Sequence, residues 1–320
     1  MNSSPASLIT VVVPFLNEAE NIPILYERVA KVFQELPEDF RILFVDDGSS
    51  DGSSGCVRSL AEKDERVELI ELSRNFGHQI AITAGMDHAR GDAVVIMDAD
   101  LQDPPEVIPE LIATWKEGYE VVYAVRKSRA GETWHKKFLS ATFYRIFRFL
   151  VNVDVPLYAG DFRLVDRCVL NALHDVRELH RFVRGLTCWV GFKQKAVYFE
   201  RAPRLAGETK YPLWKLCNMA IDAMTSFSGA PLRWVTIGGI IVAALGMVQT
   251  VRVVLVKLFR PEDLTPGWAM LVALILILGG VQLICIGMVG QYVSRIFEES
   301  KKRPLYFLRD SARLGAKEIR

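Results

Sequence analysis

Two aspartates stand two positions apart at the end of an apolar run. Residues 94–105 read VVIMDADLQDPP, so Asp98 and Asp100 follow a strand-like segment that stops before two prolines. Side chains two residues apart on an extended chain point the same way, so both carboxylates can face one divalent cation. Open α/β sheets bind ligands at the carboxyl ends of their strands. The spacing therefore predicts a ligand or metal site at a strand tip.

Polar sequences also follow three other apolar runs. They are PFLNE at 14–18, DDGSSDGS at 46–53 and SRNFGH at 73–78. Each has an ordinary structural explanation, since DGSSDGS is typical of a turn and a helix N-cap and two aspartates at this spacing arise often by chance. Their joint occurrence after four strand-like runs predicts a binding site along one edge of a sheet.

The first hundred residues alternate strand-like and helix-like segments. We expect strands at Leu8–Phe15, Phe40–Val45, Val67–Leu72 and Ala93–Met97, and helices at Glu18–Glu35, Ser53–Lys63 and His78–Ala89. The strands are continuously apolar, which is typical of a mostly parallel sheet covered by helices on both faces. No GxGxxG sequence follows a strand, so a dinucleotide-binding Rossmann domain is not indicated.

The last third of the chain predicts a membrane anchor. Leu232–Leu258 and Trp268–Val293 are almost wholly apolar, and about 20 helical residues cross a hydrocarbon core. A short link would make them a hairpin, and the alternative is a pair of buried core helices. Basic residues at the outer flanks of the two segments favour a cytoplasmic location for both flanks; they are Arg233, Arg295, Lys301, Lys302 and Arg303. Arg252 and Lys257 lie near the opposite end of the first segment and weaken this prediction of orientation.

Two other segments alternate basic and apolar residues. Trp134–Leu150, and more weakly Tyr211–Met224, read as amphipathic helices on a membrane surface, although helices packed on the sheet have the same pattern. The predicted domains are thus a catalytic region at 1–230 that includes these helices, two transmembrane helices within 231–295, and a cytoplasmic tail at 296–320.

Composition excludes several classes. The 320 residues carry a net charge of +1, which lacks the basic excess that nucleic-acid binding needs. Five scattered cysteines without a CxxC pair indicate neither a disulfide framework nor a zinc site, so a reducing compartment is expected. The N-terminal apolar run has no basic region before it and is read as a strand, not as a signal peptide.

Six motifs together resemble the family 2 glycosyltransferases of the GT-A fold. They are PFLNEAENI, FVDDGSSDGS, LSRNFGHQIAITAGMDHARGD, DADLQDPPEVIP, AGDFRLVDR and AGETKY, followed by the two apolar segments. Within the family the chain is most similar to polyprenyl-phosphate glycosyltransferases, and specifically to bactoprenol glucosyltransferases, from about Leu8 to Phe307. It lacks the QxxRW motif of the processive synthases, since residues 230–234 read APLRW.

The resemblance implies an inverting enzyme of the bacterial inner membrane with a cytoplasmic catalytic domain. It would transfer glucose from UDP-glucose to undecaprenyl phosphate with Mg²⁺ or Mn²⁺, because a cation neutralises the charge that builds on the leaving diphosphate. Mannose or aminoarabinose transfer is an alternative, and a noncatalytic membrane scaffold is another. The implied partners are the UDP-sugar, the polyprenyl phosphate, the bilayer, a separate flippase, a downstream glycosyltransferase and further copies of the chain in a tetramer.

Roles for individual residues follow from the chemistry and from the resemblance. Asp100 is the expected metal ligand. The resemblance implies that Asp98 assists by contacting the ribose or a metal-bound water, and Gln102 lies close enough to take part in binding the metal and the nucleotide-sugar. Asp161 is the candidate general base, with an ion pair to an arginine as its structural alternative. The other candidates divide by ligand: Asp46 and Asp47 for uracil or ribose, Pro14, Asn17 and Glu18 for the base pocket, Arg74 for the pyrophosphate, and Arg126, Arg163 and Lys210 for the lipid phosphate.

Overall fold

The computed structural model describes residues 7–126, 159–199, 230–259 and 267–309. They form two compact units. One unit holds the described residues up to 199 together with 304–309, and the other holds those between 230 and 303. The predicted surface helices and Lys210 lie outside the described residues.

The first unit is an α/β domain. Its strands are β1 (Leu8–Phe15), β2 (Asp39–Asp46), β3 (Val67–Glu71), β4 (Ala93–Ile96), β5 (Val121–Arg126), β6 (Ala159–Asp166) and β7 (Gln194–Phe199). Its helices are α1 (Asn21–Gln34), α2 (Ser53–Ala61), α3 (His78–His88), α4 (Ile108–Lys116), α5 (Arg167–Asp175) and α6 (Val183–Trp189), with a 3₁₀ turn at Pro105–Val107.

The seven described strands form one mixed sheet in the order β3-β2-β1-β4-β6-β5-β7. The pairs β1–β2, β1–β4, β2–β3 and β5–β7 are parallel. Only β6 runs against its neighbours, and it pairs with β4 and β5. The prediction of a mostly parallel sheet is therefore confirmed, and β6 brings the start of one strand to the edge where β1, β2 and β4 end.

Apolar side chains explain why the strands lie inside. Val11 and Val13 of β1 belong to the core cluster that includes Leu25 and Val29 of α1. Val12 points to the opposite face, where it meets α3 at Gly85. Because successive strand residues alternate between faces, a strand covered on both sides must be apolar throughout. The predicted helix from Glu18 begins instead at Asn21, which leaves Glu18 in the loop after β1.

The second unit contains two long helices, α7 (Ala230–Phe259) and α8 (Trp268–Ser300). Within the described residues one segment, Ile277–Ser300, is long and apolar enough to cross a membrane, and Val235–Gln249 is a shorter apolar stretch. The sequence predicts two spanning segments, and the described residues contain one that is long and apolar enough. The apolar stretch of α7 that the described residues give, Val235–Gln249, is shorter than the roughly 20 residues that a span needs.

The chain returns to the first unit after α8. Leu308 forms an antiparallel bridge with Leu72 at the edge of the sheet, the Ser73 N–H donates to Phe307 O at 2.8 Å and the Arg309 N–H donates to Glu71 O at 2.8 Å. The Tyr306 hydroxyl donates to Asp87 Oδ2 of α3 at 3.0 Å. This segment covers backbone groups of β3 that would otherwise remain an open sheet edge.

Candidate active site

The register between β4 and β6 places two aspartates opposite each other. Ile96 pairs with Arg163 in the antiparallel ladder. Continuing that register by two residues brings Asp98, beyond the end of β4, to Asp161 near the start of β6. Motifs far apart in the sequence thus meet at one edge of the sheet, and this edge is the candidate site.

Asp98 has one buried carboxylate oxygen, Oδ1, that makes no hydrogen bond among the residues that the structure describes, although His78 Nε2 lies 3.4 Å from it. Burial, with the nearby carboxylates of Asp103, Asp161 and Asp100, raises the pKa of Asp98 to about 6 against the opposing effect of His78. Such an oxygen is costly to bury, and a bound cation would offset that cost.

The next residues form a strained turn. Leu101 has a φ of 59°, a left-handed conformation that is uncommon for a residue with a side chain. The Gln102 N–H donates to Asp100 Oδ1 at 3.0 Å, so the turn holds the Asp100 carboxylate beside the loop backbone. Strain of this kind persists where the surrounding structure enforces it, commonly at functional sites.

The donor set fits a divalent cation that also binds phosphate. No cluster of three or more His, Cys, Asp or Glu side chains that could hold a metal occurs in the described ranges. Mg²⁺ and Mn²⁺ at nucleotide sites need only one or two carboxylates, with waters and phosphate oxygens as the other ligands. Asp98, with its buried oxygen, and Asp100, two residues on, can supply that number. The Gln102 contact described here is made by its backbone, so its predicted ligand role remains a prediction.

Asp161 is held by a guanidinium. Arg184 Nε donates to Asp161 Oδ1 at 2.7 Å and its Nη2 donates to Oδ2 at 3.0 Å. The Asp161 side chain is only 4% exposed, whereas that of Arg184 is 35% exposed. Burial alone would raise the pKa of Asp161, but His78 and Arg184 hold it well below its usual range. The carboxylate is therefore a poor proton acceptor.

The first turn of α3 supplies the remaining partners of Asp161. Gln79 Nε2 donates to Asp161 Oδ2 at 3.4 Å, and Gln79 Oε1 accepts from the Val183 N–H at 2.9 Å. His78 Nε2 lies 3.4 Å from Asp161 Oδ2 and 3.4 Å from Asp98 Oδ1. Burial lowers the pKa of His78, but the two carboxylates outweigh it and raise the pKa above its usual value.

Arg163 lies inside the domain, contrary to its predicted role. Its side chain donates to Thr187 Oγ1 at 2.6 Å, to Gly160 O at 2.9 Å and to Asp161 O at 3.3 Å, and the residue is 3% exposed. A guanidinium enclosed in this way braces β6 against α6 and does not face an incoming lipid phosphate. Arg126 ends β5, and its predicted contact remains a prediction.

The loops after β1 and β2 are tied to each other. Asn17, which has a left-handed φ of 57°, donates its N–H to Ser49 Oγ at 3.0 Å and accepts from the Ser50 N–H at 2.9 Å. The Glu18 N–H donates to Ser53 Oγ at 2.9 Å. Pro14 lies in β1 beside Val45. Asn17 and Glu18 are thus tied to the loop after β2, while the predicted contact of Pro14, Asn17 and Glu18 with a base stays a prediction.

Asp46 and Asp47 hold loop backbones. Asp46 accepts from the Ser49 N–H at 2.8 Å and from the Ser54 hydroxyl. Asp47 accepts from the N–H groups of Phe76 at 2.7 Å and Gly77 at 3.0 Å. Both aspartates are buried, so the structure gives them a loop-positioning role beside the predicted uracil or ribose contact.

Arg74 lies on the loop that Asp47 holds. Its guanidinium stacks 4.1 Å from the Phe76 ring centroid and donates to Asn75 O at 3.1 Å. The residue is exposed, so it can reach a bound phosphate, and that contact remains a prediction.

Gly48 permits the close approach of two of these loops. Its φ is +85°, and a Cβ there would meet Asn75 N at 2.8 Å and Arg74 C at 2.9 Å. Gly52 has a similar φ of +91° but open space around it, so it is a matched control.

We expect Gly48→Ala to lower the thermal unfolding midpoint and weaken nucleotide binding more than Gly52→Ala. A left-handed alanine costs about 1–2 kcal/mol at either position, and only at Gly48 must a second backbone also move. Differential scanning fluorimetry and calorimetric titration with UDP measure both effects. Equal losses in the two variants would show that the contact between the loops is unimportant.

His78 belongs to the polar sequence SRNFGH that was predicted to line the site, but it had no predicted role. Gln79 and Arg184 were not expected as site residues, and for Gln79 a helix start gave the only signal. Arg184 belongs to RFVRG at 181–185, and nothing in that sequence distinguishes it from other arginines. Its position is fixed by α6 packing beside β6.

Comparison with known proteins identifies the sequence class. Residues 10–173 match the family model described as Glycosyl transferase family 2. An uncharacterized glycosyltransferase of Bacillus subtilis (strain 168) is 48% identical over 94% of this chain and 93% of its own length. The bactoprenol glucosyl transferase of Shigella phage SfV is 40% identical over 94% of this chain and 98% of its own length.

Two further similarities have the same character. A prophage bactoprenol glucosyl transferase homolog of Escherichia coli (strain K12) is 39% identical over 94% of this chain and 98% of its own. A crystal structure of glucosyl-3-phosphoglycerate synthase from Mycobacterium tuberculosis with Mn²⁺, UDP-glucose and phosphoglyceric acid covers 69% of this chain and 78% of that one, at 19% identity and a TM-score of 0.45. A structural score of that size carries no argument about activity.

Proposed function

The chain belongs to glycosyl transferase family 2, and on that premise we propose that it transfers glucose from UDP-glucose to undecaprenyl phosphate. The names of the relatives from Shigella phage SfV and Escherichia coli support a bactoprenol acceptor and a glucosyl donor. The chain covers nearly the whole length of both relatives, so the proposal extends to the activity that their names give.

One observation carries the proposal: Asp98 and Asp161 face each other at the carboxyl edge of the sheet, with His78 between them. Asp98 has a buried oxygen that makes no hydrogen bond in the described part of the chain and is suited to a cation, and Asp161 holds a cationic side chain, Arg184. A diphosphate leaving group and a phosphate nucleophile both need positive charge near one carbon atom. The arrangement offers a cation site at Asp98, for the leaving diphosphate, and a guanidinium at Asp161, for the attacking phosphate.

The proposed reaction is an inverting displacement. An oxygen of the lipid phosphate attacks the anomeric carbon, the bond from that carbon to the UDP oxygen breaks, and the bonding electron pair leaves with UDP. A divalent cation, Mg²⁺ or Mn²⁺, held by Asp100 and Asp98 with Gln102 nearby, would stabilise the charge on the departing diphosphate. The turn at Leu101, in which the Gln102 N–H donates to Asp100, holds the Asp100 carboxylate in place before the donor binds.

The nucleophile needs no protein base. A phosphate monoester has a second pKa near 6, so at neutral pH its oxygens are already largely deprotonated. Arg184 and His78 hold the pKa of Asp161 far below that, and proton transfer from phosphate to Asp161 would be uphill. We therefore assign Asp161 to positioning Arg184, and Arg184 to attracting the acceptor phosphate in place of the buried Arg163.

Membrane attachment fits a lipid acceptor. We propose that α8 crosses the bacterial inner membrane and that α7 pairs with it as a hairpin, with both flanks and the catalytic unit in the cytoplasm. The apolar segment Ile277–Ser300 and the shorter Val235–Gln249 support this, as do exposed apolar side chains along both helices, such as Leu245, Leu274 and Ile284. Two spans are too few to carry the product across, so a separate flippase, a downstream glycosyltransferase and a tetrameric assembly belong to the same proposal.

The test is a transfer assay with the purified full chain. Undecaprenyl phosphate and Mn²⁺ or Mg²⁺ are supplied with labelled UDP-glucose, UDP-galactose, GDP-mannose or a UDP-aminoarabinose, and label that extracts with lipid is counted. We expect label from UDP-glucose that disappears without lipid or with EDTA. Label from another sugar alone would correct the donor, and label from none would refute the enzymatic proposal.

A further inference from the structure

His78 lies where the donor side and the acceptor side of the site meet. Its Nε2 is 3.4 Å from Asp98 Oδ1 and 3.4 Å from Asp161 Oδ2. The side chain is 45% exposed, so it opens toward the site and is not a core residue. No other side chain in the described ranges has a charged contact with both aspartates.

The single N–H at His78 Nε2 cannot donate a full hydrogen bond to both Asp98 and Asp161 at the same time. Nε2 carries at most one hydrogen, which it can donate to one acceptor at a time. Both separations exceed the usual length of an N–H···O hydrogen bond. The imidazole is therefore shared between two acceptors, and a change at either carboxylate alters its interaction with the other.

We propose that His78 is a positioning residue that couples Asp98 to Asp161, so that cation binding at Asp98 and the orientation of Asp161 depend on each other. The inference rests on the proposed function, because it takes Asp98 as a carboxylate that faces the cation of the donor. It adds a link between donor binding and the acceptor side.

The direction of the coupling follows from the contacts. When a cation takes the negative charge of Asp98, the Nε2–H is left for Asp161. Asp161 then has His78 and Gln79 at Oδ2 and Arg184 at both oxygens. Gln79 also accepts from the first N–H of α6, the helix that carries Arg184. One turn of α3 thus links the cation site to the arginine that we assign to the acceptor.

A double-mutant cycle on cation binding tests this link without turnover. Free Mn²⁺ is measured by electron paramagnetic resonance in titrations of the full chain with saturating UDP. We expect Asp161→Asn to raise the Kd for Mn²⁺ about five- to tenfold, because His78 then donates to Asp98 and competes with the cation. In the His78→Leu background the same change should raise the Kd less than about twofold, which reflects the direct charge effect alone.

The matched control is His174→Leu, on the exposed surface of α5, which should leave the Asp161→Asn effect unchanged. An equal effect of Asp161→Asn in the His78→Leu and wild-type backgrounds would overturn the coupling, as would a wild-type chain with UDP that binds no Mn²⁺. If no sugar is transferred but the cycle is non-additive, the proposed function fails and the link between the carboxylates stands.

A second pair of variants covers failure of His78→Leu to fold. The side-chain amide of His78→Gln places an N–H near the position of Nε2, whereas that of His78→Asn is one bond shorter and falls short of it. The proposal requires His78→Gln to keep most of the coupling and His78→Asn to lose it. The reverse order, or no difference between the two, would contradict a role for the Nε2–H.

Discussion

Asp100→Ala is expected to reduce the rate of sugar transfer by roughly 10³-fold, because it removes a carboxylate that holds the cation and so the charge that stabilises the departing diphosphate. Asp100 is partly exposed, and its described contact is the hydrogen bond that its side chain accepts from the Gln102 N–H. The fold should therefore tolerate the change. Initial rates at increasing Mn²⁺ and a thermal unfolding scan measure the two effects separately.

Asp39→Ala is the matched control for this change. Asp39 is an exposed aspartate at the start of β2, at the opposite edge of the sheet from the site. It should keep the wild-type rate and the wild-type Mn²⁺ dependence. If Asp100→Ala also keeps a rate near that of the wild type, the assignment of Asp100 as a metal ligand is wrong.

Asp161→Asn is expected to lower kcat by roughly 10²-fold, because a misplaced guanidinium no longer holds the acceptor in line with the anomeric carbon. The amide presents an N–H to Arg184 where the carboxylate accepted two hydrogen bonds. Since Asp161 carries a pKa well below its usual range, it is ionised throughout pH 6–9. We therefore expect the pH–rate profiles of the variant and the wild type to have the same shape above about pH 7, where the acceptor phosphate, with a second pKa of about 6, and Asp98, with a pKa of about 6, are both largely ionised.

Two comparisons make this prediction decisive. Asp175→Asn changes an exposed aspartate at the end of α5 and should leave kcat unchanged. Arg184→Lys should resemble Asp161→Asn, because a lysine cannot make the paired contact. A wild-type rate that falls as the pH drops from 9 to 7, with no such fall in Asp161→Asn, would instead identify Asp161 as the proton acceptor.

The central sheet could be predicted from the sequence because its strands are buried on both faces. Continuous apolar runs such as Leu8–Phe15 are rich in β-branched residues and short for a buried helix, which favours strands, and parallel strands bring their polar ends to one edge. The site around Asp98 follows from that argument. The helix starting at Asn21 rather than Glu18 shows the limit, since Glu18 is drawn into the loop by Ser53.

The acceptor side could not be predicted in the same way. Asp161 reaches Asp98 only because β6 inserts antiparallel beside β4, and a pairing between distant segments has no local signal. The sequence favours Arg163, which stands in the motif AGDFRLVDR, as a phosphate ligand, and nothing in it marks Arg184. Packing of α6 encloses Arg163 against Thr187 and leaves Arg184 partly exposed, so their roles are decided by tertiary contacts.

The most direct test of the account is a mass balance on the reaction. The purified full chain is incubated with UDP-glucose, Mn²⁺ and undecaprenyl phosphate, the lipid is analysed by mass spectrometry and the released UDP is counted. We predict a lipid heavier by one hexose, formed in equal amount to UDP, and neither product with Asp100→Ala. UDP released without a glycosylated lipid would contradict the proposed function, as would the absence of both products from the wild-type enzyme.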